Sequence, residues 1–126
     1  MNQDAQRILN ATLQEALPGA AVGQALEQIS FNPDGRLLVV AAGKAAWEMA
    51  RAAVERLDRP IDAGVVVTKY SHARGPLDCL EIFEAGHPVP DENSYRATAR
   101  ALEVVSGLTE RDSVLFLLSG GGSALF

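Results

Sequence analysis

Apolar residues along this chain follow two periods in alternation. Over Ala5 to Leu17, the residues Ile8, Leu9, Leu13, Ala16 and Leu17 recur at three- and four-residue steps, the stripe of an amphipathic helix that Pro18-Gly19 ends. Ala20 to Ile29 reads as a second short helix. The turn Asn32-Pro33-Asp34-Gly35 then opens into the unbroken apolar run Leu37 to Ala42. A run without polar alternation describes a strand covered on both faces. Gly43 punctuates it, and Ala46, Met49, Ala50, Ala53, Val54 and Leu57 line one face of a helix over Ala45 to Leu57.

The strand-and-helix unit recurs. Ala63 to Thr68 predicts a second strand, Leu80 to Glu84 a third and Val114 to Leu118 a fourth, again buried. Tyr95 to Val105 predicts a helix with Ala97, Ala101, Leu102 and Val105 inward. Tyr70 to Asp78 lacks helical period and contains Gly75-Pro76, so it reads as a loop. Apolar strands alternating with helices predict an α/β fold, with a mostly parallel sheet and helices on both faces, wound right-handedly. Sites in such folds sit at the carboxyl ends of strands.

Composition narrows the partners. At 126 residues with 48% hydrophobic and 21% charged residues, the chain suits one soluble domain with a real core. Eleven basic against sixteen acidic residues leave a net charge of -5, and no Lys/Arg cluster is dense enough for a nucleic-acid footprint. Cys79 is the single cysteine and cannot form an intrachain disulfide, and Met1-Asn2-Gln3-Asp4 lacks the start of a signal peptide. No apolar run approaches the roughly 18 residues of a membrane span. The expectation is a cytoplasmic protein with no membrane partner.

Three loops after strands carry candidate chemistry. Gly43-Lys44 places an ammonium at the first turn of a helix, beside backbone N–H groups expected to be free, which suits phosphate or carboxylate. It is not a Walker A loop, because Leu38 stands at the first glycine position and Ala45 replaces the metal-binding hydroxyl. The pair also fits a plain turn with a solvated lysine. In Gly86-His87-Pro88-Val89-Pro90-Asp91-Glu92, two prolines stiffen the backbone that displays His87, while Asp91 can cap a helix starting near Asn93. A structural histidine and a simple cap are the plainer readings of that pair. His72 is a weaker signal still. Ser119-Gly120-Gly121-Gly122-Ser123, straight after the fourth strand, is suited to cradling an anion in its amides, with a helix beginning near Ser123. Ser119 and Ser123 lack the Gly-x-Ser-x-Gly setting of a nucleophile elbow, which disfavours a hydrolase.

Val40-Ala41-Ala42-Gly43-Lys44-Ala45-Ala46, the His87 loop, and Leu118-Ser119-Gly120-Gly121-Gly122-Ser123-Ala124-Leu125 together resemble, in order and spacing, the N-terminal part of the class II glycerate 2-kinases, whose second domain is called MOFRL. Val66-Val67-Thr68-Lys69-Tyr70-Ser71-His72 is similar to the family's Val-Thr-x-Tyr-Gly-His segment, with Ser71 where glycine is usual. The resemblance runs over essentially the whole chain. It implies that residues 1–126 are the N-terminal part of a Rossmann-like domain, incomplete and without its MOFRL-type partner, and inactive as a kinase alone. It implies transfer of the ATP γ-phosphate to the 2-hydroxyl of D-glycerate, with Mg2+ as metal. It implies Lys44 as the catalytic contact to phosphate or substrate carboxylate. His87 and Asp91 would line the cleft, with Gly43, Ser119, Gly120, Gly121, Gly122 and Ser123 around phosphate. The metal ligands and a general base are not identifiable from the sequence.

Two rival functions differ in kind. An NAD(P)H-dependent hydroxypyruvate reductase would need Gly-x-Gly-x-x-Gly after the first strand and an acidic residue ending the second. The chain offers one glycine there, Gly43, and ends the second strand in Thr68-Lys69. A non-enzymatic anion-binding module would work as 126 residues without a partner domain. Whatever the function, bare sheet edges or an exposed patch near Leu115 to Phe126 could drive pairing of a chain this short.

Overall fold

The structure, a computed structural model, describes residues 18–86 and 89–120. The helix expected over Ala5 to Leu17 lies outside them. Helix α1 spans Pro18–Leu26, strand β1 Leu37–Ala42, α2 Ala46–Arg56, β2 Ala63–Lys69, β3 Leu80–Ala85, α3 Glu92–Val104 and β4 Ser113–Leu118. Pro18 opens α1 two residues before the expected start, because its fixed φ and missing N–H cost nothing in a first helical turn. Residues 70–79 form the expected loop between β2 and β3.

All strand pairs are parallel, in the order β3-β2-β1-β4. β1 is central and every one of its six residues is buried. Leu37, Val39 and Ala41 pack with Val66, Leu115 and Leu117 against α1 and α2. On the other face, Val40 and Ala42 with Val65 and Val67 meet Ala97 and Ala101 of α3. Alanines at these contacts, including Ala46, Ala50 and Ala53 of α2, let the helices lie close to the sheet. Burial of each large aliphatic chain contributes roughly 1.5–3 kcal/mol, so the β1 and β2 valines and leucines dominate the core.

β4 departs from expectation. Its pattern alternates, with Leu115 and Leu117 buried but Val114, Phe116 and Leu118 exposed. An edge strand has a neighbour on one side only, and α3 packs over β2 and β3, leaving that face of β4 uncovered among the described residues. Continuous apolarity therefore did not mean two-sided burial here. No helix of the described residues is long and apolar enough to cross a membrane.

The β1-α2-β2 connection runs over one face of the sheet, and β3-α3-β4 returns over the other. The winding therefore reverses between β1 and β4, and folds of this kind place their sites at the carboxyl ends of such a pair of strands. At the opposite end, Asp112 ties the two strands together. Its carboxylate accepts from the amides of Thr109 (2.9 Å) and Arg36 (2.8 Å) and from the Arg36 guanidinium (3.1 Å). These donors, the Thr109 amide foremost, hold its carboxyl far below the usual carboxylate range.

A depressed folded-state pKa stabilises the fold fully above the unfolded value of about 3.9 and progressively less as pH falls through and below it. We therefore expect thermal stability to decline on acidification from about pH 5 to about pH 3. Asp112→Asn is expected to melt lower at neutral pH and to show a shallower acid dependence, measured by circular dichroism melts across that range.

Candidate functional site

At the carboxyl end of β1 the chain must turn into α2 within three residues while β4 ends beside it. Gly43 makes this turn at φ +125°, a conformation that side chains rarely adopt. A Cβ there would overlap Ser119 Oγ and lie 2.7 Å from the Ser119 carbonyl oxygen. The two loops are thus in direct contact. Ser119 N–H donates to the Ala42 carbonyl (3.0 Å), Lys44 N–H to the Gly120 carbonyl (2.9 Å) and Ala45 N–H to Ser119 Oγ (2.9 Å).

These bonds correct one expectation. The amides of Gly43, Lys44, Ala45 and Ala46 are all satisfied within the protein, the first by the Val67 carbonyl and the last by that of Gly43. Ala45, the N-cap of α2, makes no side-chain cap of its own, and Ser119 supplies one from another strand. Free backbone donors beside Lys44 are therefore not what this turn offers an anion. It offers the Lys44 side chain, which is exposed and paired with no carboxylate among the described residues. It also offers the Ser119 hydroxyl, whose oxygen accepts from Ala45 while its proton is left to donate. Gly120 is exposed at the mouth, and Gly121, Gly122 and Ser123 lie outside the described residues.

The end of β2 braces the same turn from the other side. Thr68, fully buried, donates its hydroxyl proton to the Gly43 carbonyl (2.9 Å), with the Lys44 carbonyl at 3.3 Å. His72 Nδ1 lies 3.1 Å from that Lys44 carbonyl. The loop reaches it through a turn in which His72 N–H donates to the Lys69 carbonyl (3.0 Å) and Ser71 sits at φ +69°. That left-handed residue costs roughly 1–2 kcal/mol for a non-glycine side chain.

His87 and Pro88 lie outside the described residues, but both sides of their loop are fixed. A Cβ on Gly86 would lie 2.6 Å from the Val89 carbonyl, so residues 86 and 89 approach each other closely. Asp91 is the N-cap of α3 as expected, and the helix begins at Glu92, one residue before Asn93. Its Oδ1 accepts from the amides of Asn93 (3.1 Å) and Ser94 (3.3 Å), and its Oδ2 from the Tyr70 hydroxyl (2.7 Å). The Gly86 amide also donates to this carboxylate. The Tyr70 hydrogen bond, more than any other, holds the Asp91 carboxyl below its ordinary range, and the same bond raises the Tyr70 phenol. A carboxylate so occupied fastens the loop of His87 to α3 and β2. Its charge would repel phosphate, so it suits positioning better than the substrate contact expected of it.

The hydrogen-bonding roles of Thr68, Tyr70 and Asn93 were not legible in the sequence, although Thr68 and Tyr70 fall in the segment similar to the family's. Asn93 Nδ2 donates to the Tyr70 hydroxyl (2.9 Å), completing the clamp. The signal available in sequence was their position at the end of β2 and the start of α3, where strand ends converge. Among the described residues, no group of three or more His, Cys, Asp or Glu side chains comes together as a metal site.

Two outcomes follow from this geometry. Gly43→Ala is expected to lower stability by at least roughly 1–3 kcal/mol, the cost of a forced backbone, and Ser119→Gly in the same chain should rescue it only partly because the Ser119 carbonyl still clashes. Ser71→Gly is expected to raise stability by about 1 kcal/mol or leave it unchanged, read from urea midpoints.

A family model described as a domain of unknown function, DUF4147, matches residues 4–126. A D-glycerate 2-kinase of Thermotoga maritima is 53% identical over 119 residues, covering 94% of this chain and 28% of its own length. A protein of Agrobacterium vitis, provisionally named a hydroxypyruvate reductase, is 45% identical over 121 residues, 95% of this chain and 26% of its own. The crystal structure of a glycerate kinase from Thermotoga maritima superposes with a TM-score of 0.83 at 52% identity, covering 98% of this chain and 29% of that one. The chain thus spans little more than a quarter of the length of these relatives. With one family model matching from residue 4 onward, and with a glycerate kinase superposing on 98% of the chain, the chain belongs to the DUF4147 family.

Proposed function

We propose that this chain supplies one wall of the active site of a kinase that transfers the γ-phosphate of ATP to the 2-hydroxyl of D-glycerate, giving 2-phosphoglycerate. The observation that carries the reading is the junction of Lys44 with Ser119-Gly120 at the carboxyl ends of β1 and β4. Support also comes from the 53% identity to a D-glycerate 2-kinase. Phosphoryl transfer asks for positioning and charge neutralisation rather than a covalent intermediate. A rigidly seated turn carrying an ammonium that pairs with no carboxylate among the described residues meets the first need and much of the second.

In this reading Lys44 neutralises phosphate oxygens or the substrate carboxylate, and the Ser119 hydroxyl donates to the same group. Gly120 to Ser123 continue the cradle, Gly43 permits the approach of the two loops, and His87 lines the cleft from the loop that Asp91 anchors. Residues 1–126 form the N-terminal part of a Rossmann-like domain, and a MOFRL-type domain closes the site from the opposite side in the cytoplasm. Mg2+ would accompany the nucleotide. Among the described residues no group of three or more His, Cys, Asp or Glu side chains comes together to hold it.

The reductase reading is weaker on two counts. One glycine follows β1 where a dinucleotide turn uses three, and the residue ending β2 that would meet a ribose is replaced by buried Thr68 and basic Lys69. Full-length protein incubated with ATP and D-glycerate is expected to form ADP and 2-phosphoglycerate, and with hydroxypyruvate and NADH to leave the nicotinamide unoxidised. Lys44→Ala is expected to reduce kcat/KM by roughly 10²–10³ with melting temperature unchanged, the scale of losing one preorganised charge-stabilising donor. NADH oxidation without ADP formation would overturn the kinase reading.

A further inference from the structure

We propose that His72 is the general base that takes the proton from the acceptor hydroxyl, a role that rests on the kinase reading. Its ring is held by one hydrogen bond whose direction is fixed by chemistry. A carbonyl oxygen only accepts, so the 3.1 Å contact between Nδ1 and the Lys44 carbonyl requires the hydrogen to sit on Nδ1. In the neutral imidazole Nε2 then carries the lone pair. His72 is exposed, and no described residue is hydrogen-bonded to its Nε2.

The backbone around it is as constrained as the ring. Ser71 is held in the left-handed region, and the turn closes on the Lys69 carbonyl. Thr68 fixes the carbonyls of Gly43 and Lys44 that receive these contacts. Nε2 is thus held on the outer side of a ring that is anchored to the Lys44 carbonyl, at the carboxyl ends of β1 and β2. A base oriented by hydrogen bonding through its other nitrogen is the arrangement general-base catalysis requires.

In the step assigned here, the O–H bond of the acceptor alcohol breaks and its proton moves to Nε2. The freed oxygen bonds to the γ-phosphorus of the nucleoside triphosphate as the bond from that phosphorus to the β,γ-bridging oxygen breaks. The nucleoside diphosphate leaves, and the imidazolium returns its proton to water.

The test separates the two ring nitrogens. His72→Asn keeps an N–H near the position of Nδ1 but removes Nε2, whereas His72→Ala removes both. In the full-length protein, with ATP and D-glycerate as substrates, both variants are expected to lose roughly 10²- to 10⁴-fold in kcat with KM for ATP little changed. Added imidazole is expected to restore part of the kcat of His72→Ala. Retention of kcat within about threefold in His72→Asn would overturn the proposal, since bracing of the Lys44 peptide would then explain the residue. Failure of His72→Ala to fold leaves His72→Asn, checked by its melting temperature, to decide. Wild-type activity measured alongside keeps the two readings apart, because an inactive wild type refutes the kinase itself.

Discussion

The contact between Gly43 and Ser119 is the constraint on which the site depends. Two adjacent parallel strands end at the same height, and the loops that leave them must diverge without colliding. The missing Cβ of Gly43 gives Ser119 the space to sit over the first turn of α2 and accept from the Ala45 amide. Through that one contact the end of β4 completes the helix start that follows β1, and the Lys44 amide is consumed by the Gly120 carbonyl. The lysine is left as a charge on a fixed mount, with its backbone no longer available to a ligand.

Around this junction, the neighbouring loops are held by hydrogen bonds to groups that a sequence shows only as isolated letters. Thr68 and His72 share the carbonyls of the Gly43-Lys44 turn, and Tyr70 reaches across to the cap of α3. The segment after β2 therefore links the turn after β1 to the loop after β3. Asp91, surrounded by donors from Gly86, Tyr70, Asn93 and Ser94, is the fixed point of the far side. The ends of β1, β2, β3 and β4 are joined in this way into one rigid rim, which suits chemistry that relies on placement.

Much of the architecture was legible because burial and period agree. Leu37 to Ala42 is apolar without interruption and is buried on both faces, and the alanine and methionine stripe after Gly43 forms α2 as expected. Val114 to Leu118 is equally apolar, yet every second residue is exposed, because composition reports hydrophobicity and not the number of neighbours a strand will have. Asp91 as a cap was readable from Pro90-Asp91 ahead of a helical stripe. Its pairing with Tyr70, twenty-one residues away, was not, since nothing local to either residue encodes the meeting of β2 with α3.

The succession of strands and helices, the glycine needed after β1 and the presence of Lys44, Ser119 and Gly120 at strand ends are all readable from the residues alone. These follow from local periodicity and backbone sterics, which act within a few residues. Folding in three dimensions is what sets β4 beside β1, gives the Ala45 amide to Ser119 rather than to a ligand, and turns one nitrogen of His72 to the Lys44 carbonyl. Those outcomes depend on packing between segments as many as seventy-six residues apart, as in the pairing of Leu37 with Ser113, where pairing is set by the sheet as a whole and by no single stretch of it.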